Sequence, residues 1–541
     1  MQPAPEKRSR GLVDLLLGPR EARFASAVLV LVAVAAFLTE RALGPPPERY
    51  PTGDHALLEL CVRLAAEGSQ RLGPEARFYF QHPGPASFYA AVPFYEAFGR
   101  GAAALGAAAL AWNLVALLAF VRGSSRLAPG SGGTLAALLA LAFLAARGLG
   151  FLLSFWNANL PVLPLAAALV AGARAATGDA RALPVLALFA SLAVQTHAVY
   201  LVPVAFLAAA ATALHALPRL RAALRLPTVG PGPGARSFLA TAAVLAVLWS
   251  LPLYDEWSGD YHNLERMLST GSNPRANAWP AAAAVGSRAL LGFAGVSWSS
   301  GDASPWGAPL VLALALLAAL AWAGRRALRR RAGTAALAVV TAAALVAVVV
   351  TARAAPGAVV FPYVLAWASF VGAAATLVVL AELVELAPRA RQLAVGARAA
   401  LAIGGLLLVL VQARAARESA SLPREQGPQL VEQAARDTCR QLDVLWRGLP
   451  VPARPRFLLR VGSGVDRDAA LGLILALDKA RLRFAVQPFG PYRLDGRLRP
   501  GGQEKGELHV GEVPASSRVV PISSAPGLAV AWQYPAPPGG R

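Results

Sequence analysis

Long runs of Ala, Leu and Val, broken by short polar segments, fill the chain from about residue 24 to residue 411. A membrane-spanning helix needs about 20 mostly apolar residues, fewer where it is tight. Eleven runs meet that measure: Phe24–Leu38, Gly101–Val121, Thr134–Leu153, Val162–Ala176, Leu183–Ala198, Tyr200–Leu217, Phe238–Leu253, Pro309–Ala323, Thr334–Val350, Val360–Leu380 and Ala399–Val411. The segments between them alternate in kind. Those after the even-numbered runs carry arginines, as in PRLRAALR (218–225), GRRALRRR (324–331) and PRARQLAVGAR (388–398). Those after the odd-numbered runs are polar and aromatic, as in SFWNANLP (154–161) and YDEWSGDYHNLERM (254–267). Basic loops stay in the cytoplasm, and five Lys or Arg residues precede Phe24, so the N-terminus is expected inside and the aromatic loops outside. The fifth and sixth runs, joined at Gln195-Thr196-His197, can be taken out as a non-crossing hairpin without changing the side of any other loop.

Beyond about residue 412 the period changes from helical runs to short alternating ones. FLLRV (457–461), RFAVQPF (483–489), ELHVGEV (507–513) and RVVPISS (518–524) predict strands, and DRDAALGLILALDKA (466–480) predicts an amphipathic helix opened by an Asp cap. The fold class expected is an all-α polytopic membrane domain of about eleven helices with a small C-terminal extracytoplasmic α/β domain. The organisation expected is a cytoplasmic tail over 1–23, a transmembrane domain over 24–412 with its outer loop at 42–100, and a soluble domain over 413–541 that ends in a disordered Pro/Gly tail.

Composition sharpens this. Charged residues make up 15% of the 541 residues, against about 25% in soluble proteins. The net charge of +21 sits in the segments between apolar runs with few aromatics interleaved, which fits the positive-inside pattern and excludes a nucleic-acid partner. The two cysteines, Cys61 and Cys439, have no metal-type spacing and are expected as separate thiols, with a disulfide open if both face outward. No small-residue cleavage site follows the first run, so a retained signal anchor is expected.

Candidate chemistry concentrates in the first outer loop, Tyr50–Tyr95. Asp54-His55 opens a helix whose apolar positions Leu57, Leu58, Cys61, Leu64 and Ala65 follow the helical period; Asp54 can be its N-cap, a general base, or both. Glu59 and Glu67 on the same helix are expected on a solvated face. In GPEARFYFQHPGPASFY, prolines and Gly84 forbid a continuous helix and leave a rigid aromatic loop with Arg77 and His82. Such rings suit sugar C–H faces, or equally an interfacial aromatic belt. Trp156 and Asn157 lie in the second outer loop. His197 and Gln195 are polar groups at a membrane boundary, which mark function or a structural hydrogen bond. Asp255 and Glu256 can orient an acceptor, hold a divalent ion with Asp54, or cap the helix that follows. Arg353, with Tyr363 nearby, is either a snorkelling anchor or a bidentate partner for phosphate.

The segments GDHALLEL (53–60) and FYFQHPGPASFY (78–89), with WNANLP (156–161), QTHAVY (195–200) and LPLYDEWSGDYHNLERM (251–267), resemble polytopic glycosyltransferases of the GT-C superfamily, in an actinobacterial-type branch. The resemblance covers roughly residues 20–412. It implies transfer of a sugar from a polyprenyl-phosphate carrier to a glycan, lipid or protein acceptor of the cell envelope, at the outer face of the membrane. Asp54 then takes the acceptor proton, and Arg353 and Arg77 steady the leaving phosphate. His82 and Tyr363 join the donor side, while His55, Asp255, Glu256, His197, Gln195, Trp156 and Asn157 serve the acceptor or support the site. Many members pair two acids at the first position. This chain has Asp54-His55, so Asp54 alone is carried over, and a divalent metal, Mg or Mn, is the one cofactor left open. A transporter or flippase for a lipid-linked or polar substrate is the first alternative, although no internal repeat is visible; a non-catalytic envelope assembly protein is the second.

Overall fold

A computed structural model describes the chain except residues 1–19, 47–49, 77–79, 226–234, 259–261, 272–276, 298–306, 355–360, 388–389, 422–425, 448–453, 491, 493, 495, 512–518, 524, 526–527 and 534–541. The N-terminal tail, Arg77 and the C-terminal tail, each with its own expectation above, lie outside the described residues in whole or large part.

Each apolar run forms a helix. In chain order the helices up to the last apolar run are α1 (Arg20–Leu43), α2 (Gly53–Ala66), α3 (Ala86–Ala97), α4 (Ala102–Leu127), α5 (Gly132–Arg147), α6 (Val162–Ala176), α7 (Leu183–Thr196), α8 (Leu201–Ala216), α9 (Pro218–Ala223), α10 (Ala235–Ser258), α11 (Asn263–Gly271), α12 (Trp279–Leu290), α13 (Ala308–Arg330), α14 (Ala332–Ala354), α15 (Ala368–Leu386) and α16 (Ala390–Ser421). Among the described residues eight helices are long and apolar enough to cross a bilayer, and the chain is a multi-pass membrane protein. The other three apolar runs, in α5, α6 and α7, form shorter helices. The third run was expected to continue to Leu153. It stops at Arg147, because Gly148 turns into left-handed backbone (φ +80°) and a short 3-10 turn, Leu149–Leu153, follows.

Small residues let these helices approach closely, which is how apolar helices associate where lipid removes the hydrophobic drive. α6 and α15 are enclosed by neighbours, whereas α10 turns apolar side chains such as Leu239, Val247 and Leu253 outward, as a lipid-facing helix does. Gly372 on α15 marks the tightest approach. A Cβ built there would stand 1.9 Å from the carbonyl oxygen of Leu290 at the end of α12. Gly372→Ala is therefore expected to lower stability by about 1–3 kcal/mol. Gly396→Ala on α16, where a Cβ meets open space, is the control. A thermal melt of both variants in detergent checks this, and equal midpoints would contradict the packing.

The C-terminal part is α/β as expected. α17 (Gln426–Leu445) leads to β1 (Phe457–Val461), α18 (Arg467–Lys479), β2 (Phe484–Val486), β3 (Glu507–Val510), β4 (Val519–Ser523) and β5 (Val530–Gln533). The sheet order is β2-β1-β3-β5-β4, with β1 parallel to β2 and β3, and β5 antiparallel to its neighbours. Pro521 falls in β4, an edge strand, where its missing N–H leaves no gap in an internal ladder. Asp466 caps α18 by accepting from the Asp468 amide at 2.9 Å.

This unit is not a separate bead. α18 packs along α2, and one apolar core runs continuously from α2, α3 and the start of α4 into the sheet. Glu59, expected on a solvated face, is fully buried there. It accepts from Lys479 Nζ and the Tyr95 hydroxyl, each at 2.7 Å. Asp478 at the end of α18 is also buried and takes both Arg63 of α2 and Arg497, which in turn holds Glu67 at 2.7 Å. Buried charges survive only when paired, and here every pair but one joins the C-terminal unit to α2. Cys61 is buried and Cys439 half-buried, and the two are not disulfide-bonded to each other.

Candidate active site

The segment before α3 is folded as a small hairpin. Gly73 and His82 exchange toward each other's strand (Gly73 N–H to His82 O, 2.9 Å; His82 N–H to Pro74 O, 3.0 Å), and Glu75 pairs with Gln81. Asn263, at the start of α11, supplies the next ladder partner with its side chain: its amide accepts from Gln81 N–H at 2.8 Å and donates to Gln81 O at 2.9 Å. Gln195 at the end of α7 ties down the other side. Its carbonyl oxygen takes Gly84 N–H (3.3 Å), its side-chain oxygen takes Ala86 N–H (3.3 Å), and its amide donates to Leu248 O on α10 (2.7 Å). Gln195 is thus the structural hydrogen bonder of the two alternatives above.

The hairpin delivers His82 to the turn between α7 and α8. There His82 and His197 lie ring to ring, with centroids 4.4 Å apart and planes at 32°. His82 Nδ1 accepts from Ala198 N–H (3.1 Å) and His197 Nδ1 from Val199 N–H (3.3 Å). A neutral imidazole with Nδ1 accepting carries its proton on Nε2, so both rings are Nε2–H donors. Burial holds His197 down at about 4, and burial together with His197 holds His82 well below the ordinary imidazole range. The pair is neutral at pH 7, as two stacked rings require.

From this pair an unbroken line of contacts runs to the acid. His197 meets Tyr363 (6.1 Å between centroids), Tyr363 meets Trp156 edge-on (5.5 Å), and Trp156 Nε1 donates to Asp54 Oδ2 at 2.9 Å. Five separate stretches of chain supply these residues: Asp54 from α2, Trp156 from the segment after Leu149–Leu153, Tyr363 from the 3-10 turn Pro362–Leu365, His82 from the hairpin and His197 from the α7–α8 turn. Asp54 is not the N-cap of α2. Thr52 holds that position without a side-chain cap, and Asp54 sits exposed in the first turn.

A second carboxylate reaches the same place from far along the sequence. Asp468, in the first turn of α18, lies against Gly53, close enough that a Cβ there would meet its carboxyl at 3.0 Å. Burial, then Asp466 and Asp54, hold the Asp468 carboxyl above its ordinary range. Two like charges near one another cannot both ionise freely, which is how paired acids divide roles. Next to Asp54 in sequence, His55 lines a cavity of about 270 Å³ between α2 and the start of α4, and Glu59 is also on its wall. The second oxygen of Glu59, Oε2, is buried without a hydrogen-bond partner among the described residues.

The remaining candidates stand elsewhere. The Arg353 guanidinium lies 4.7 Å over the ring of Trp279. Glu256 accepts from Leu264 N–H at 2.9 Å, so it caps α11, the plainest of its three expected roles. Asp255 is buried near the end of α10. Among the described residues no three His, Cys, Asp or Glu side chains gather closely enough to hold a metal ion, Asp54, Asp255 and Glu256 included. Asn157 is half-buried beside Trp156. Asp468 escaped the sequence reading, since only the docking of α18 on α2 reveals it.

Because the histidines stay neutral in the folded chain and ionise near pH 6.5 when unfolded, their contribution runs one way. It is fully present above about pH 6.5 and is lost as pH falls toward 4 for His197. The loss for that ring approaches about 1.4 kcal/mol per pH unit within the window. Melting midpoints measured from pH 7.5 to 4.5 should fall more steeply for the native chain than for His197→Phe; parallel curves would contradict the neutral pair.

Two solved structures match nearly end to end. ArnT from Cupriavidus metallidurans bound to undecaprenyl phosphate aligns with a TM-score of 0.53 at 12% sequence identity, over 94% of this chain and 97% of that one. The apo state of the same protein aligns with a TM-score of 0.50 at 14% identity over the same shares. No family model and no curated protein matches the chain.

Proposed function

We propose, from the premise that this chain has the GT-C fold, that it is a membrane glycosyltransferase that moves a sugar from a polyprenyl-phosphate carrier to a cell-envelope acceptor at the outer face of the cytoplasmic membrane, with inversion. The observation that carries this reading is the contact line from Asp54 through Trp156 and Tyr363 to the His197–His82 pair. It sets a carboxylate at one end and two Nε2–H donors at the other, with aromatic faces between. That order suits the reaction. Asp54 takes the proton of the acceptor hydroxyl as it attacks the anomeric carbon, the glycosidic C–O bond to phosphate breaks, and the leaving phosphate departs with the bonding pair. Aromatic rings pack against the C–H faces of a sugar. Donors aimed at developing charge are the largest aid to such a step. In this reading Asp468 is the second acid, and it sets the protonation of Asp54's surroundings rather than touching substrate.

The undecaprenyl phosphate held by ArnT supports a lipid-phosphate donor here. Arg77 and Arg353 are the cations we assign to the carrier phosphate, in keeping with the preference of phosphate for planar guanidinium forks. The acceptor, a glycan, lipid or protein, enters along the cavity walled by His55. A divalent metal, Mg or Mn, is compatible with Asp54 and Asp468 together and is not needed for the proton transfer described. The test is direct: purified protein in detergent is given polyprenyl-phosphate sugars and envelope acceptors, and product is followed by mass. Transfer from at least one donor, insensitive or sensitive to chelator, is the expected result. Failure with every donor, alongside substrate-dependent flux in proteoliposomes, would replace the transferase with a transporter.

A further inference from the structure

Away from the aromatic line, a larger cavity of about 460 Å³ opens where the C-terminal unit meets the end of α2 and the turn before α4. Its lining is basic. Arg63 comes from α2, Arg100 from that turn, and Arg456, Arg481, Arg483 and Arg497 from the C-terminal unit. Two carboxylates, Glu67 and Asp478, line it with them. Glu96 and Glu504 pair with Arg100 (2.6 Å) and Arg456 (3.6 Å) from outside the lining. Among the described residues, with these four acids counted against the six lining arginines, the arginines are in excess by two.

The floor is set before any ligand arrives. Asp478 fixes Arg63 and Arg497, and Arg456 donates to the carbonyls of Arg497 (2.9 Å) and Arg499 (2.7 Å). The Arg481 side chain, on the exposed rim, has no hydrogen bond or ion pair among the described residues. Arg481 and Arg100 both hold left-handed backbone, φ +58° and +55°, a conformation that residues with a side chain rarely adopt. A concave wall of one sign focuses its field on whatever enters. Arg100 also stands two residues before Ala102, where α4 begins its apolar span, so the cavity opens beside the end of a membrane-spanning helix.

We propose that this cavity binds a phosphate group at the membrane surface, carried by an anionic lipid headgroup or free in solution. Guanidinium forks match phosphate oxygens two at a time, and a concave, half-desolvated wall strengthens each contact. Because the arginines come from α2, the turn before α4 and the C-terminal unit, a bound phosphate bridges all three and stabilises their assembly. This does not depend on the transfer reaction.

The experiment uses the full chain in two settings. In detergent, inorganic phosphate is titrated at constant ionic strength against chloride and the thermal midpoint is read. In nanodiscs, phosphatidylglycerol is compared with phosphatidylcholine. Arg481→Ala/Arg483→Ala is the test variant, and Arg436→Ala, an exposed arginine of α17 outside the cavity, is the control. The native chain and the control should be stabilised, and the double variant should need about tenfold more phosphate for the same shift. A response to phosphatidylglycerol alone assigns the phosphate to lipid, and a response to inorganic phosphate assigns it to a soluble anion. A response the double variant shares in full, or none from the native chain with either probe, overturns the proposal.

Discussion

Asp54→Asn is expected to cut sugar transfer by about 10²–10⁴-fold in kcat/KM, the usual loss when a general base is removed, while leaving the thermal midpoint within about 0.5 kcal/mol of native stability. The small stability cost follows from position. Asp54 is exposed, does not cap α2, and among the described residues makes one side-chain hydrogen bond, from Trp156 Nε1 at 2.9 Å. An amide in its place keeps that bond, because its oxygen still accepts from the indole, so the geometry of Trp156 and Tyr363 survives. What is lost is the capacity to take a proton. Two companions separate chemistry from placement. Trp156→Phe keeps an aromatic face against Tyr363 but frees the carboxylate, and should lower kcat by about tenfold. Asp468→Asn keeps the shape at Gly53 and removes a charge near Asp54, so it should shift the acid limb of the pH–rate profile more than the plateau, since Asp468 does not touch substrate. An Asp54→Asn enzyme that retained a tenth or more of native transfer would remove Asp54 from the base role and leave the contact line as a binding surface.

Much of this was legible in the chain. The apolar runs placed the helices because a run of Ala and Leu long enough to span a bilayer has few other ways to satisfy its backbone. Asp54 and His82 stand out as polar residues of the first outer loop, and Trp156, His197 and Tyr363 as polar or aromatic residues near the ends of apolar runs, and the structure brings these five into one line of contacts. What stayed hidden depends on docking between distant segments. Glu59 reads as surface on its own helix, since Lys479 lies hundreds of residues away and only the packing of α18 on α2 buries it. Asp468 reads as the ordinary first-turn acid of an amphipathic helix, and only Gly53 on its far side gives it a neighbour in Asp54. Strand β5 was missed for a different reason: four residues flanked by Gly and Pro hold too little pattern to separate from a loop. Glu256 was read three ways, and the choice among them turned on one backbone amide of α11.

Asp478→Ala is expected to be among the most damaging single changes outside the membrane helices, costing about 3 kcal/mol. Removing one partner of a buried ion pair typically costs 3–5 kcal/mol, and the lower end applies because Arg497 remains partly exposed and keeps Glu67. The Asp478 side chain is fully enclosed, and it accepts from Arg63 Nε and from Arg497 Nη1 while its carbonyl accepts from Arg63 Nη2 at 3.3 Å. Without the carboxylate, Arg63, whose side chain is 15% exposed, stays in the interface with, among the described residues, the Tyr95 hydroxyl (3.5 Å) and that carbonyl to answer its charge. Burial alone would lower Arg63, and Asp478, with help from the Tyr95 hydroxyl, holds it above its ordinary range. Asp478→Asn should cost nearly as much as the alanine variant if charge is the cause, and much less if shape is. Asp443→Ala sets the scale for an exposed pair: Asp443 is 60% exposed against Arg454, and its loss should stay below about 1 kcal/mol. The readouts are the thermal midpoint and hydrogen exchange across α2 and α18. Faster exchange in both helices at once is the signature of undocking, because Arg63 and Asp478 lie on opposite sides of that contact. Undocking also withdraws Asp468 from Gly53, so the same variant should lose transfer activity without any change at Asp54 itself. Exchange that rose in α18 alone, or a midpoint equal to that of Asp443→Ala, would show that the apolar contact between the helices holds the C-terminal unit and the ion pairs do not.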